Sequence, residues 1–173
     1  MHRALCFAGT VTMARRNTSL TQEEIVRVAH ELFYKQGYSA TTMDQIIQET
    51  GYSKPTVYKY FSNKEALCLT YLKKRHQMEM AFYRDYIERR DTPRERFLTI
   101  IDSVAEVLQQ QFYRGCGFFN MIAEVPDPDN PIFQVSAEHA REVKALIEQL
   151  AIELKQNEPG CENLDTQAVA ETY

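Results

Sequence analysis

Residues 41–65, TTMDQIIQETGYSKPTVYKYFSNKE, constrain the fold more tightly than any other stretch, because two short helical signals are separated there by a single glycine. Thr41 and Thr42 offer N-cap hydroxyls to a run in which Met43, Ile46 and Ile47 share one face. Gly51 ends that run, since glycine tolerates the left-handed backbone at which helices often stop. Ser53 then caps a second helix, and Pro55 falls in its first turn, where a missing N–H costs nothing. Ser62 and Asn63 are candidate caps for a third helix that opens near Lys64.

The second of these helices has two faces. Val57 and Phe61, four apart, point inward, which leaves Lys54, Thr56, Tyr58 and Lys59 outside. Lysines supply charge for phosphates, hydroxyls reach phosphate oxygens or base edges, and Pro55 with the Thr56 methyl can pack on a thymine methyl. Lys64, beside backbone N–H groups at a helix start, is placed to hold a phosphate. This outer face suits a DNA groove.

The surrounding pattern is specific. Ile25, Ala29, Leu32 and Phe33 in one helix, then Gly37-Tyr38, Ala40-Thr41-Thr42, Ile46, Gly51, Ser53-Lys54-Pro55-Thr56, Tyr58, Tyr60-Phe61, Asn63-Lys64-Glu65 and Leu67 together resemble the N-terminal domain of the TetR family of bacterial transcriptional repressors. The resemblance spans about 45 residues, matching the size of a three-helix unit too small to stand alone. It implies DNA contacts at Thr42, Ser53, Lys54, Pro55, Thr56, Tyr58, Lys59, Tyr60 and Lys64. Met43 stands where some members carry a base-reading arginine, which moves specificity towards the second helix.

Charge agrees with a local DNA face. Residues 1–64 hold eight Lys and Arg against five Asp and Glu, a balance of +3. Residues 65–173 hold twelve against nineteen, a balance of −7. Such a chain touches phosphate at one end and does not coat nucleic acid. Cys6, Cys68, Cys116 and Cys161 form no C-x-x-C pair, which fits free thiols in a cytoplasmic protein better than a disulfide framework or zinc site. No apolar run approaches the ~18 residues of a membrane span. No histidine pair has metal-ligand spacing, and His30, His76 and His139 read as helix-surface residues. Neither a metal nor a cofactor is expected.

Residues 1–18 read as a flexible arm, with Met13 as a second possible start and Arg15-Arg16 able to reach a minor groove. Residues 19–65 form the DNA-binding domain, its first helix over 21–36 with Thr21 and Glu24 as a capping box. Residues 66–173 form a helical regulatory and dimerisation domain. One long helix over 64–90 carries Leu67, Tyr71, Met78, Phe82 and Tyr86. A helix over 93–113 buries Phe97, Ile100, Ile101, Val104, Leu108 and Phe112, and an Arg114-Gly115-Cys116-Gly117 corner leads to an apolar segment over 118–123. The EVPDPDNP loop at 124–131 has too many prolines to be helical and lacks the glycine and final glutamate of a calcium loop. A helix over 132–156 puts Phe133, Ala137, Ala140, Val143, Ile147, Leu150, Ala151 and Leu154 on one side, and a short final helix begins near Leu164.

The resulting expectation is an all-α protein, an N-terminal helix-turn-helix domain followed by a C-terminal helical ligand-binding and dimerisation domain. By the resemblance, the helix over 132–156 and the C-terminal segment pair with their mates in a homodimer on a near-palindromic operator. An unidentified small-molecule effector would be lined by Phe97, Ile101, Val104, Leu108, Phe112, Phe119, Ile122 and Phe133, with Glu106 or Glu124 available to a cationic group. One alternative keeps DNA binding and makes the C-terminal half a protein-interaction platform without an inducer. A small helical enzyme is disfavoured: there is no phosphate-binding glycine loop, nucleophile elbow or paired histidine and carboxylate at catalytic spacing.

Overall fold

The computed structural model describes residues 18–109 and 114–172, without the side chains of Thr18, Glu106 and Val107. The N-terminal arm with Arg15 and Arg16, together with Cys6, Phe112 and the Glu106 side chain, lies outside the described residues. Among those described, the elements are eight helices: α1 (Thr18–Gln36), α2 (Met43–Thr50), α3 (Lys54–Tyr60), α4 (Lys64–Glu88), α5 (Pro93–Leu108), α6 (Gly117–Glu124), α7 (Pro131–Asn157) and α8 (Thr166–Thr172). Contacts divide the chain into two compact units, one ending at Tyr71 and the other beginning at Leu72.

The first unit buries Ile25, Val28, Ala29 and Phe33 of α1, Ile46 of α2, Val57 of α3, Phe61, and Leu67 and Cys68 of α4. These are the apolar positions that helical spacing selects, and their burial makes three short helices cooperative. The His30 ring stacks on Tyr71 at 5.0 Å. The expected capping box at Thr21 does not form. Helix α1 starts a turn earlier, at Thr18, so Thr21 is a buried residue inside it. Glu24 instead binds the Arg27 guanidinium through two hydrogen bonds of 2.7 and 3.0 Å, a partner three positions along the same helix face. A capping box does form at α5, where the Glu95 N–H donates to Thr92 Oγ1 and the Thr92 N–H donates to the Glu95 carboxylate, both at 3.2 Å.

In the second unit, Met80, Ile100, Val143, Ile147, Leu150 and Ala170 form a core, against which Tyr83, Ile87, Phe97, Leu146 and Val169 pack. Helix α7 is central to this unit, packing on α5, α6 and α8. Asn130 caps it, its side chain accepting the Ile132 N–H at 2.8 Å, with Pro131 in the first turn.

Three expected stripes are displaced. The α7 stripe is buried at Ile132, Ser136, His139, Val143, Ile147, Leu150, Ala151 and Leu154, so Phe133, Ala137 and Ala140 flank it in the first half of the helix. On α4, Met80 enters the core and Met78 is exposed. Helix α5 ends at Leu108, short of 113, and buries Thr99, Ile100 and Ser103, while Ile101 and Leu108 are 54% and 58% exposed. The hydroxyls that replace them inside are neutralised locally: Thr99 donates to the Glu95 carbonyl at 2.8 Å and Ser103 to the Ile100 carbonyl at 2.6 Å. No described helix is long and apolar enough to cross a membrane.

Candidate nucleic-acid interface

The α2–α3 corner follows from three local rules. Thr42 has extended backbone and its hydroxyl accepts the Gln45 N–H at 3.2 Å, which starts α2. Gly51 adopts φ 65 and ψ 9, and its N–H closes the helix on the Gln48 carbonyl. Ser53, extended again, accepts the Thr56 N–H at 3.3 Å and starts α3, with Pro55 in the first turn. The chain therefore reverses within three residues, and Val57, fully buried, fixes which face of α3 turns inward.

The opposite face exposes Ser53, Lys54, Pro55, Tyr58 and Lys59, while Thr56 and Tyr60 are half-buried and Thr42 is exposed at the start of α2. Tyr58, 40% exposed, presents its ring beside the Lys54 ammonium at 5.9 Å from the ring centroid. Lys59 lies 5.8 Å from the Tyr60 ring. Each aromatic can thus hold a cation near it without burying it. Three members of the face are already engaged within the protein. The Ser53 and Thr56 hydroxyls bond to one another at 2.8 Å, and Lys54 Nζ donates to Asp44 Oδ1 at 3.1 Å. This carboxylate holds the Lys54 amine above its ordinary pKa, so the group is a cation at neutral pH.

Eight of the nine sequence-derived positions lie around this corner. The ninth, Lys64, is the first residue of α4, and its amine donates to the carbonyls of Tyr38 and Thr41, both at 2.9 Å. Sequence reasoning also passed over Asp44, Gln36 and Gln45. Gln36 and Gln45 exchange amide hydrogen bonds of 2.8 and 3.2 Å, and Gln36 also donates to Thr41 Oγ1 at 3.2 Å, which ties α1 to the start of α2. The acidic first turn of α2 was the available signal for Asp44; the glutamine pair, nine residues apart, left no periodic trace.

The second unit contains an open cleft of about 240 Å³ between α4 and α7, lined by Lys73, His76, Gln77, Val135, Glu138, His139 and Glu142. None of the seven described apolar residues expected around an effector lines it. Ile101, Leu108 and Phe119 are exposed, and Phe97 packs on the core. Val104, Ile122 and Phe133 are half-buried. His139 is a buried residue rather than a surface one, stacked on Phe118 at 3.6 Å. Its Nδ1 meets His76 Nδ1 at 3.0 Å, and its Nε2 lies 3.3 Å from Glu79. Burial pushes the His139 pKa down to about 4, with His76 and Arg75 adding to the shift, so the ring is neutral at physiological pH. Among the described residues no group of three metal-ligating side chains converges.

A capped, glycine-reversed helix pair that exposes two lysines and Tyr58 on its second member, with a helical unit after it, defines a helix-turn-helix DNA-binding regulator. Residues 25–70 match the family model for bacterial regulatory proteins of the tetR family. Over that stretch the chain carries the N-terminal DNA-binding domain of the TetR family, and the relatives it resembles are transcriptional regulators. It is 25% identical over 150 residues to an uncharacterised HTH-type transcriptional regulator of Lactococcus lactis subsp. lactis, covering 83% of this chain and 76% of the relative. Over 49 residues it is 43% identical to the uncharacterised HTH-type regulator YerO of Bacillus subtilis, covering 28% of this chain and 17% of the relative. The fold is shared with a TetR-family regulator crystal structure from Streptomyces coelicolor, at a TM-score of 0.76 and 22% identity, covering 89% of this chain and 90% of that one.

Proposed function

We propose that this regulator represses transcription by binding a near-palindromic operator as a homodimer and leaves it when a small molecule occupies the second unit. The observation that carries the DNA reading is the outer face of α3, where Lys54, Tyr58 and Lys59 stand exposed on a helix whose other face is fixed by fully buried Val57. In this reading Thr42, Ser53, Pro55, Thr56 and Tyr60 complete the surface, lysines and hydroxyls meeting phosphates while Tyr58 and the α3 N-terminus reach base edges. Two such helices, one per protomer, would enter successive major grooves about 34–36 Å apart. The dimer would form through α7, whose outward face includes exposed Ile152, and through the C-terminal segment.

The effector would occupy the α4–α7 cleft in preference to the apolar positions read from sequence, since the described ones among them do not line it. Its lining combines Lys73 with Glu138, Glu142 and two imidazoles, which suits a polar ligand. A ligand acts by preferring one conformation of the second unit, and α4, which contributes both to that cleft and to the first unit, is the element that can carry the difference.

The deciding experiment is selection of duplexes by the purified protein from a random pool, followed by sedimentation of the complex. An inverted repeat bound by two protomers is the expected result. Enrichment of a single half-site by a monomer would overturn the dimeric reading, and no enrichment would overturn sequence-specific binding.

A further inference from the structure

Lys64 opens α4, the end of a helix where a cation faces the positive pole of the backbone dipole. An ammonium placed there needs acceptors of its own. It finds them far upstream in sequence, in the carbonyls of Tyr38 and Thr41, each 2.9 Å away, and it sits 4.2 Å from the Tyr38 ring centroid. Two of its three N–H groups are therefore directed at carbonyls, and a ring face covers the ammonium.

Those carbonyls belong to the turn that joins α1 to α2. Gly37 takes φ 97 there, the Thr41 N–H closes on the Tyr38 carbonyl at 3.2 Å, and the fully buried Thr41 donates its hydroxyl to the Gly37 carbonyl at 2.7 Å. The very next residue, Thr42, is the N-cap of α2. Fixing the Tyr38 and Thr41 carbonyls thus fixes where α2 begins, and α2 packs on α3.

We propose that Lys64 is a positioning residue for DNA binding: its ammonium ties the first turn of α4 to the α1–α2 turn and so sets the placement of α2 and, through it, α3, instead of neutralising a phosphate. The assignment rests on α3 being the DNA face. It also supplies a physical link by which a movement of the α4 start would reach the helix pair.

The test is the salt dependence of binding to a mixed-sequence duplex, for which each neutralised phosphate contributes a slope of about 0.9. Lys59→Met serves as the direct-contact control and should lower the slope by about that amount. Lys64→Met should leave the slope unchanged while raising amide hydrogen exchange at residues 41–45 at least tenfold, with exchange in the middle of α1 unaltered. Lys64→Arg, which keeps the charge and donors, should restore most of that protection.

A lowered slope for Lys64→Met with unchanged exchange would overturn the proposal and return Lys64 to a phosphate. If Lys59→Met also leaves the slope unchanged, it is the α3 reading that fails. The wild-type protein provides a measurement independent of any variant's folding. The Lys64 ammonium resonance, seen by nitrogen-15 labelling of lysine Nζ, should keep its position when the duplex is added. A large shift on binding would show the amine moving to phosphate and would overturn the assignment.

Discussion

Two single side chains carry separately testable consequences. At the proposed DNA face, Tyr58 has an exposed ring on the second helix of the pair, with no part in the buried core. Tyr58→Ala is expected to reduce preference for the selected operator at least tenfold over scrambled duplex, with thermal unfolding within about 1 °C of wild type; retained preference would remove Tyr58 from the recognition surface. In the second unit, His139 has a folded pKa of about 4 against an ordinary value near 6.5. The unfolded chain therefore binds a proton over a range in which the folded chain does not. Stability contributed by the neutral ring is fully present above about pH 6.5 and declines as pH falls towards 4. Unfolding free energies across that window should fall by an order of about 2–3 kcal/mol in wild type and by clearly less in His139→Phe. Parallel curves would show that another group carries the titration.

At the scale of elements, the helix signals with local causes could be read directly from the sequence. Thr42 and Ser53 cap α2 and α3, Gly51 reverses the chain, and Val57 and Phe61 face inward, because each depends on neighbours within four residues. What sequence did not reveal has a different origin. On α7 and α5 the apolar and small residues are dense enough that two phases of the helix, one residue and about 100° apart, satisfy the pattern equally, and packing on neighbouring helices chooses between them. Ile101 is the clearest case, reading as core and lying exposed while its neighbour Ile100 is buried. The His76–His139 contact and the Lys64 clamp join residues 63 and 23–26 positions apart, a separation that no periodicity records.

Two substitutions test single turn and cap positions through stability. Gly51 has left-handed φ and open space where a Cβ would stand, so Gly51→Ala carries a backbone cost alone, about 1–2 kcal/mol by chemical denaturation. Thr92→Ala removes a hydroxyl that caps α5 through the Glu95 N–H and should cost about 1 kcal/mol. A change below a few tenths in the second case would mean that water replaces the cap freely.

For the molecule as a whole, the acidic second half and the locally basic first half predict a binding footprint confined to the helix pair, with the number of displaced cations set by a few lysines and not by net charge. Thermal-shift screening against polar small molecules should find compounds that raise the unfolding temperature and weaken operator binding together. Stabilisation with unchanged DNA affinity would make the cleft a binding site without a regulatory role. Absence of any stabilising compound across a broad polar set would favour a protein partner for the second unit.

The Lys54–Asp44 bridge has a consequence for how this surface chooses among duplexes. In the proposed complex Lys54 would meet DNA with an anion already beside it, so a phosphate that engages it would have to replace a carboxylate, with little of the local ion cloud released in the exchange. Lys59 has no such companion among the ion pairs of the described residues. The two lysines should therefore differ in how strongly they sense ionic strength, with Lys54→Met flattening the salt response less than Lys59→Met does. Asp44→Asn should tighten adhesion to arbitrary DNA more than to the true operator. A carboxylate in the first turn of α2 would then act as a filter, leaving random sequence more readily than a surface of bare lysines could.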